Sequence, residues 1–122
     1  MIMPAIAPGQ RYPDSKAWVD ISDGLANGWQ TIAASRYFKA MADGNTATLN
    51  GSVVIGETRQ AGFIPEEFAP SSQLTFTGYA RGVGTVEIYV YATGQIFIPS
   101  SSWVPELAGA VLIFTYSYQR KA

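Results

Sequence analysis

The chain contains neither cysteine nor histidine. Without cysteine it has no disulfide framework and no thiolate chemistry. Without histidine it lacks the commonest metal ligand and the usual general base near neutral pH, and no Ser-His or Cys-His triad can be assembled. Charge is also scarce, with 8 Lys and Arg against 9 Asp and Glu and a net charge of −1. In the absence of a basic cluster, neither nucleic acid nor an anionic membrane surface is an expected electrostatic partner. No apolar run approaches the roughly 20 residues a spanning helix needs, so membrane insertion is not expected. P-loop, G-x-S-x-G and zinc-type spacings are missing. Glu66 and Glu67 are adjacent and point to opposite sides of an extended chain, a poor geometry for the facing carboxylates of a glycosidase. The expectation is a protein that is not an enzyme and carries no cofactor.

Aromatic residues, threonine, valine and glycine are plentiful, a balance that favours strands and turns over helices. A length of 122 residues fits one domain with its own core. At the N-terminus, Met1 to Gly9 has no basic region and no proper apolar segment, so a signal peptide is not expected. Pro4, Pro8 and Pro13 instead suggest that residues 1–16 form an arm or linker, leaving residues 17–122 as the folded domain.

The clearest pattern runs from Gln73 to Tyr91. Leu74, Phe76, Gly78, Ala80, Val86, Ile88 and Val90 fall on one face. Thr75, Thr77, Tyr79, Arg81, Thr85, Glu87, Tyr89 and Tyr91 fall on the other. Alternation of this kind marks two half-buried antiparallel strands. A two-residue loop would mix apolar and polar side chains on one face, whereas a three-residue loop, Gly82-Val83-Gly84, keeps each face uniform. That loop pairs Arg81 with Thr85, Tyr79 with Glu87, Thr77 with Tyr89 and Thr75 with Tyr91.

Further strands are expected at Trp29 to Ala33, Arg36 to Met41, Thr46 to Ile55, near Gln95 to Ile98, and at Ala110 to Tyr118. Asp43-Gly44-Asn45 is a strong turn. Gly51 within its strand hints at a bulge or a close backbone approach. The last strand is apolar on both faces at its start and is expected to be central or at a subunit contact. Glu57 to Ala61 reads as a loop, Phe63 to Pro70 as an extended crossing over one end of the core, and Gln119 to Ala122 as a polar tail. The register of the turn at Thr93-Gly94 stays open, because Ile96 and Ile98 face inward only with a loop of odd length. Asp14, Asp20 and Asp23 lack the ligand order of a calcium loop and read as turn and cap carboxylates, with no metal site expected. Seven or eight short strands at this spacing predict an all-β fold, an antiparallel β-sandwich or jelly-roll-like barrel.

The order of landmarks resembles the C-terminal head domain of tailed-bacteriophage receptor-binding proteins, found in tail fibres and baseplates. The carriers are Asn27-Gly28-Trp29, Tyr37-Phe38-Lys39, Leu49-Asn50-Gly51-Ser52-Val53 and the pair Pro65 and Pro70. Gly94, Trp103, Leu107 and Gly109 then precede the final strand, so the match spans roughly residues 18–118. The crossing segment departs from the usual L-P-x-G-x-R-P, since Glu66-Glu67-Phe68-Ala69 supplies neither the Gly nor the Arg. Some heads from phages of lactic-acid bacteria present His and Asp beside a Trp for saccharide binding. That set does not carry over to a chain with no histidine and no aspartate after Asp43.

The resemblance implies a non-catalytic head, usually a homotrimer, at the tail tip of a virion, acting outside the host cell. Its partners would be a host cell-wall saccharide and other tail or baseplate proteins, with the arm joining a shaft. Sugar recognition needs aromatic faces and planar polar groups. Trp103, Tyr89, Tyr91, Tyr79, Glu87 and Arg81 are therefore the candidate saccharide-binding residues. The tyrosine face is also open to a second use, as a seam between subunits, which is the favoured reading for the tyrosines taken together. A purely structural trimerisation or capping module of a fibre and a bacterial lectin-like module are the competing functions.

Overall fold

The computed structural model describes residues 15–32 and 38–121. Of the expected arm over residues 1–16, residues 1–14 lie outside them, as do Arg36 and Tyr37, and Ser15 and Lys16 open the first strand. Among the described residues nine strands form a single antiparallel sheet: β1 Ser15–Asp20, β2 Gln30–Thr31, β3 Phe38–Asp43, β4 Thr46–Val54, β5 Gln60–Phe63, β6 Leu74–Ala80, β7 Gly84–Val90, β8 Gln95–Phe97 and β9 Val111–Gln119. Their order is β1-β3-β4-β9-β6-β7-β8-β5, with β2 pairing β4 at Val53 and Val54. The all-β barrel-like class is as the spacing predicts. Two strands lie outside the expected set: β1, which begins within the expected arm, and β5, whose first residues sit in the segment read as a loop.

The sheet curls until its ends meet. Leu25, just after the turn Ser22–Gly24, bridges Gly62 on β5, and the Ala26 amide donates to Ala61 O at 2.8 Å. Glycine permits this approach. A Cβ on Gly62 would lie 2.0 Å from Gly24 O, and one on Gly24 would lie 2.0 Å from Phe63 O. Inward-facing positions of every long strand fill the interior, including Phe38, Leu49, Val53, Phe76, Ile88 and Leu112. The interior space bounded by Trp29, Phe38 and Phe114 amounts to about 10 Å³, too little for any ligand. Trp29 is buried with its indole N–H donated to Thr58 O at 2.9 Å. Gly51 causes no bulge, since β4 pairs β9 in unbroken register. Its missing side chain makes room for the Phe114 ring, which a Cβ would meet at 2.3 Å.

Strand β9 is central, between β4 and β6. The hairpin β6–β7 has the predicted faces but not the predicted partners. Tyr79 pairs with Thr85, Thr77 with Glu87 and Thr75 with Tyr89, a slip of two residues. The loop is Arg81-Gly82-Val83, closed by the Val83 amide on Ala80 O at 3.0 Å, with Gly82 at φ 79 in the turn position that requires positive φ. The Arg81 amide is drawn to Val111 O on β9 at 2.9 Å, which removes Arg81 from the ladder with Thr85. Because the slip is even, both faces stay uniform. At the next turn the open register resolves to an odd loop: the Tyr91 amide donates to Gln95 O, Val90 pairs with Ile96, and Ile96 and Ile98 are buried.

Two expectations fail at one end of the barrel. Phe63 to Pro70 is not extended throughout: after Pro65 the chain makes a 3-10 turn, Glu66–Phe68, that drops Phe68 fully into the core. Nor are residues 119–121 a free polar tail. Arg120 is 1% exposed and donates from Nε to Gly44 O at 2.8 Å and from Nη1 to Glu67 O at 3.1 Å. The Tyr118 hydroxyl donates to Phe68 O at 2.5 Å. These donors tie the C-terminal end of β9 to the carbonyls of two turns, one at Gly44 and one at Glu67 and Phe68.

Candidate functional site

With the interior filled by side chains, ligand chemistry falls to the outer face. Its two halves differ. Over β4 and β9 the outward side chains bond to one another: Thr48 Oγ1 lies 2.8 Å from Ser117 Oγ, and Asn50 Nδ2 donates to Thr115 Oγ1 at 3.1 Å. Over β7, β8 and β5 the outward face carries a cluster of aromatic rings among polar residues. Tyr89 meets Phe97 edge-on at 5.5 Å between centroids, and Tyr91 meets Phe97 at 4.9 Å with rings tilted by 48°. Tyr89 and Phe97 are direct ladder partners, and Phe97 is paired on its other side with Gln60.

Beside these rings lies a shallow depression of about 260 Å³ lined by Arg59, Gln60, Tyr91, Gln95 and Phe97. It is smaller than the pockets that enclose drug-sized ligands and matches one small polar group lying against an aromatic wall. Arg59 is exposed and uses one guanidinium nitrogen, Nη1, on Ile98 O at 3.3 Å. Gln60 and Gln95 add amides able both to donate and to accept. Such groups beside ring faces can hold vicinal hydroxyls while C–H groups stack on the aromatics.

Of the residues singled out from sequence, Tyr91 lines this depression and Tyr89 adjoins it through Phe97. Tyr79, 52% exposed, stands on β6 between Thr85 on β7 and Ile113 on β9, apart from the depression. Glu87 faces Thr77, so the predicted Tyr79–Glu87 cross-strand pair does not form. Arg81 is exposed in the hairpin turn. Trp103 is separate from the depression: it is half-buried against the core, after the Ser102 amide closes a turn on Pro99 O. Trp18 lies on β1 with Lys39 Nζ 4.8 Å from its ring centroid.

Sequence reasoning missed Arg59, Gln60, Gln95 and Phe97. Gln95 and Phe97 become visible once an odd loop turns Ile96 and Ile98 inward, because alternation then sends their neighbours out. Arg59 and Gln60 carry no such signal; β5 is short and its register shifts between Gln60 and Gly62.

Asp14 lies outside the described residues. Asp20 accepts from the Ser22 hydroxyl and the Ser22 amide, and these bonds hold its carboxyl below the usual value. Among the described residues no cluster of acidic side chains is arranged around a metal position. Nor, among them, is any helix long and apolar enough to cross a membrane.

No protein-family description matches the chain, and no curated protein sequence does either. Solved structures do. The receptor binding protein gp15 of Listeria phage PSA superposes with a TM-score of 0.65 at 16% identity, over 87% of this chain and 66% of that one. The head domain of the lactococcal phage bIL170 superposes with a TM-score of 0.60, also at 16% identity, over 86% of this chain and 98% of that one. The chain thus shares the fold of phage receptor-binding heads, and it spans about two thirds of the gp15 structure.

Proposed function

We propose that this chain is the head of a phage tail receptor-binding protein and adheres, without catalysis, to saccharides on the host cell surface. It would act at the tail tip of a virion, joined to other tail or baseplate proteins. The observation that carries the reading is the depression at Tyr91 and Phe97, where ring faces meet Arg59, Gln60 and Gln95 on a fold shared with two phage heads. Tyr89 extends the aromatic wall, while Tyr79, Glu87, Arg81 and Trp103 take secondary places outside it.

A shallow site of this size binds weakly, and several copies on one rigid assembly would gain from effective concentration. A homotrimer fits that need. Its seam is assigned to the outer face of β4, β9 and β6, where Thr46, Thr48, Asn50, Ser52, Val54, Ile113 and Tyr79 present no charge, as subunit interfaces prefer.

The test is adhesion of fluorescently labelled protein to a panel of bacterial strains, alongside sedimentation. Tyr91→Ala should lower adhesion at least tenfold with the oligomer intact. If no strain is bound, the receptor-binding reading falls. If Tyr91→Ala instead dissociates the assembly, the purely structural module is the better reading.

A further inference from the structure

The segment Glu57 to Gln60 separates two depressions. Arg59 and Gln60 wall the aromatic one. Glu57 and Thr58 wall a second, an open groove of about 620 Å³ whose other side is Asn27, Gly28, Ala108 and Gly109. All four residues of the segment are exposed. Three consecutive carbonyls hold it in place: Thr58 O accepts from the Trp29 indole at 2.9 Å, Arg59 O from the Ile98 amide at 2.9 Å, and Gln60 O from Asn27 Nδ2 at 3.1 Å. The backbone of the ridge is therefore fixed by the body of the protein, while its side chains are presented outward on both flanks.

The two flanks differ in chemistry. The aromatic depression offers ring faces and a guanidinium. The groove has glycine backbone on the side facing the ridge, with Gly28 at φ 84 and Gly109 at φ 85, and its polar side chains come from Asn27, Glu57 and Thr58. A site with no ring to stack on but with carboxylate, hydroxyl and amide groups suits the hydroxyl edge of a sugar. From Glu57 to Gln60 an extended chain reaches up to about 11 Å. That is more than one pyranose ring covers and close to what a linked pair covers.

We propose that the head binds the interior of a glycan chain laid across the Glu57–Gln60 ridge, one unit stacked at Tyr91 and Phe97 and a following unit seated in the Asn27–Gly109 groove. This rests on the saccharide-binding reading above and adds to it that the ligand is a polymer segment with at least two subsites. A single terminal sugar would fill the aromatic depression and leave the groove unused.

The experiment takes the cell-wall polysaccharide of a strain to which the protein adheres, partially hydrolysed and fractionated by size, and titrates each fraction by calorimetry. Affinity should rise at least tenfold from monosaccharide to fragments that reach both depressions, then level off. Glu57→Ala combined with Thr58→Ala should erase that gain, bringing long fragments to the affinity of short ones and leaving monosaccharide binding unchanged. Tyr91→Ala should weaken every fraction. Thermal unfolding of the variants checks that they fold; if the double variant does not, Thr58→Ala alone must lower the gain with length. Affinity independent of length overturns the proposal, as does a gain that survives the ridge substitutions, which would point to bridging between subunits. If cells are bound but no fraction is, the receptor is not a glycan, and the saccharide reading falls together with the two-subsite one.

Discussion

Two arginines and two tyrosines of this barrel do opposite things. Arg120 and Tyr118, at the C-terminal end, are buried and bonded to carbonyls of Gly44, Glu67 and Phe68. Arg59 and Tyr91, on the outer face, are exposed; Arg59 bonds Ile98 O through one nitrogen, and both border a depression open to solvent. The side-chain types are the same, but one pair satisfies the protein's own backbone and the other borders the depression to which the proposed function assigns the ligand. A polar group whose partners are internal contributes to stability, because its loss leaves the carbonyls it bonds without their donor. A polar group held at the surface with hydrogen-bonding capacity left over is free to serve recognition, the role the proposed function gives to Arg59.

The largest expected effect comes from the buried arginine. Arg120→Met should cost about 3 kcal/mol, since two bonds from a charged donor to turn carbonyls are lost, and lower the melting temperature by roughly 10 °C. Urea unfolding measures this, and adhesion per folded molecule should be unchanged. A loss under about 0.5 kcal/mol, the range of an ordinary surface substitution, would break the comparison.

Tyr118→Phe ranks next, at about 1–2 kcal/mol for the lost bond to Phe68 O. It also removes a pH dependence. Burial pushes the Tyr118 phenol well above its ordinary value of 10.0. A folded value above the unfolded one means that this group's contribution is complete below about pH 10 and is lost as pH rises beyond it. The wild-type chain should therefore lose stability above pH 10 more steeply than the Phe variant does. Equal slopes would mean that the phenol titrates normally in the folded state.

Arg59→Ala should leave stability within about 0.5 kcal/mol and weaken adhesion about tenfold, near 1.4 kcal/mol. If it destabilised the fold as Arg120→Met does, its bond to Ile98 O would be structural and the contrast between the two arginines would disappear.

Much of this architecture is legible in one dimension. Alternation sorts Phe76, Ile88 and Val90 from Thr75, Thr77 and Tyr89, and the structure keeps that sorting even though the hairpin slips by two residues. Parity survives an even slip, so the face of each residue was readable while its partner was not. The partner depended on Arg81, whose amide bonds Val111 on β9, a strand thirty residues further along. The saccharide candidates were legible in the same limited way: Tyr89 and Tyr91 could be placed on the outer face, but not the residues they meet there. Trp103 gave the opposite case, a large aromatic in a serine-rich loop that in fact leans on the core.

The sequence by itself determined the class of fold, the inward and outward faces, the turn at Gly44-Asn45 and the lack of histidine or thiol chemistry, because these follow from local period and residue type. Only the tertiary structure decided that Arg59 and Gln60 meet Tyr91 and Phe97, that Gly24 and Gly62 close the barrel, and that Arg120 is an internal anchor and not part of a tail. Each of these depends on which distant backbone groups arrive together, and a buried carbonyl needing a donor leaves no mark on the residue, far along the chain, that supplies it.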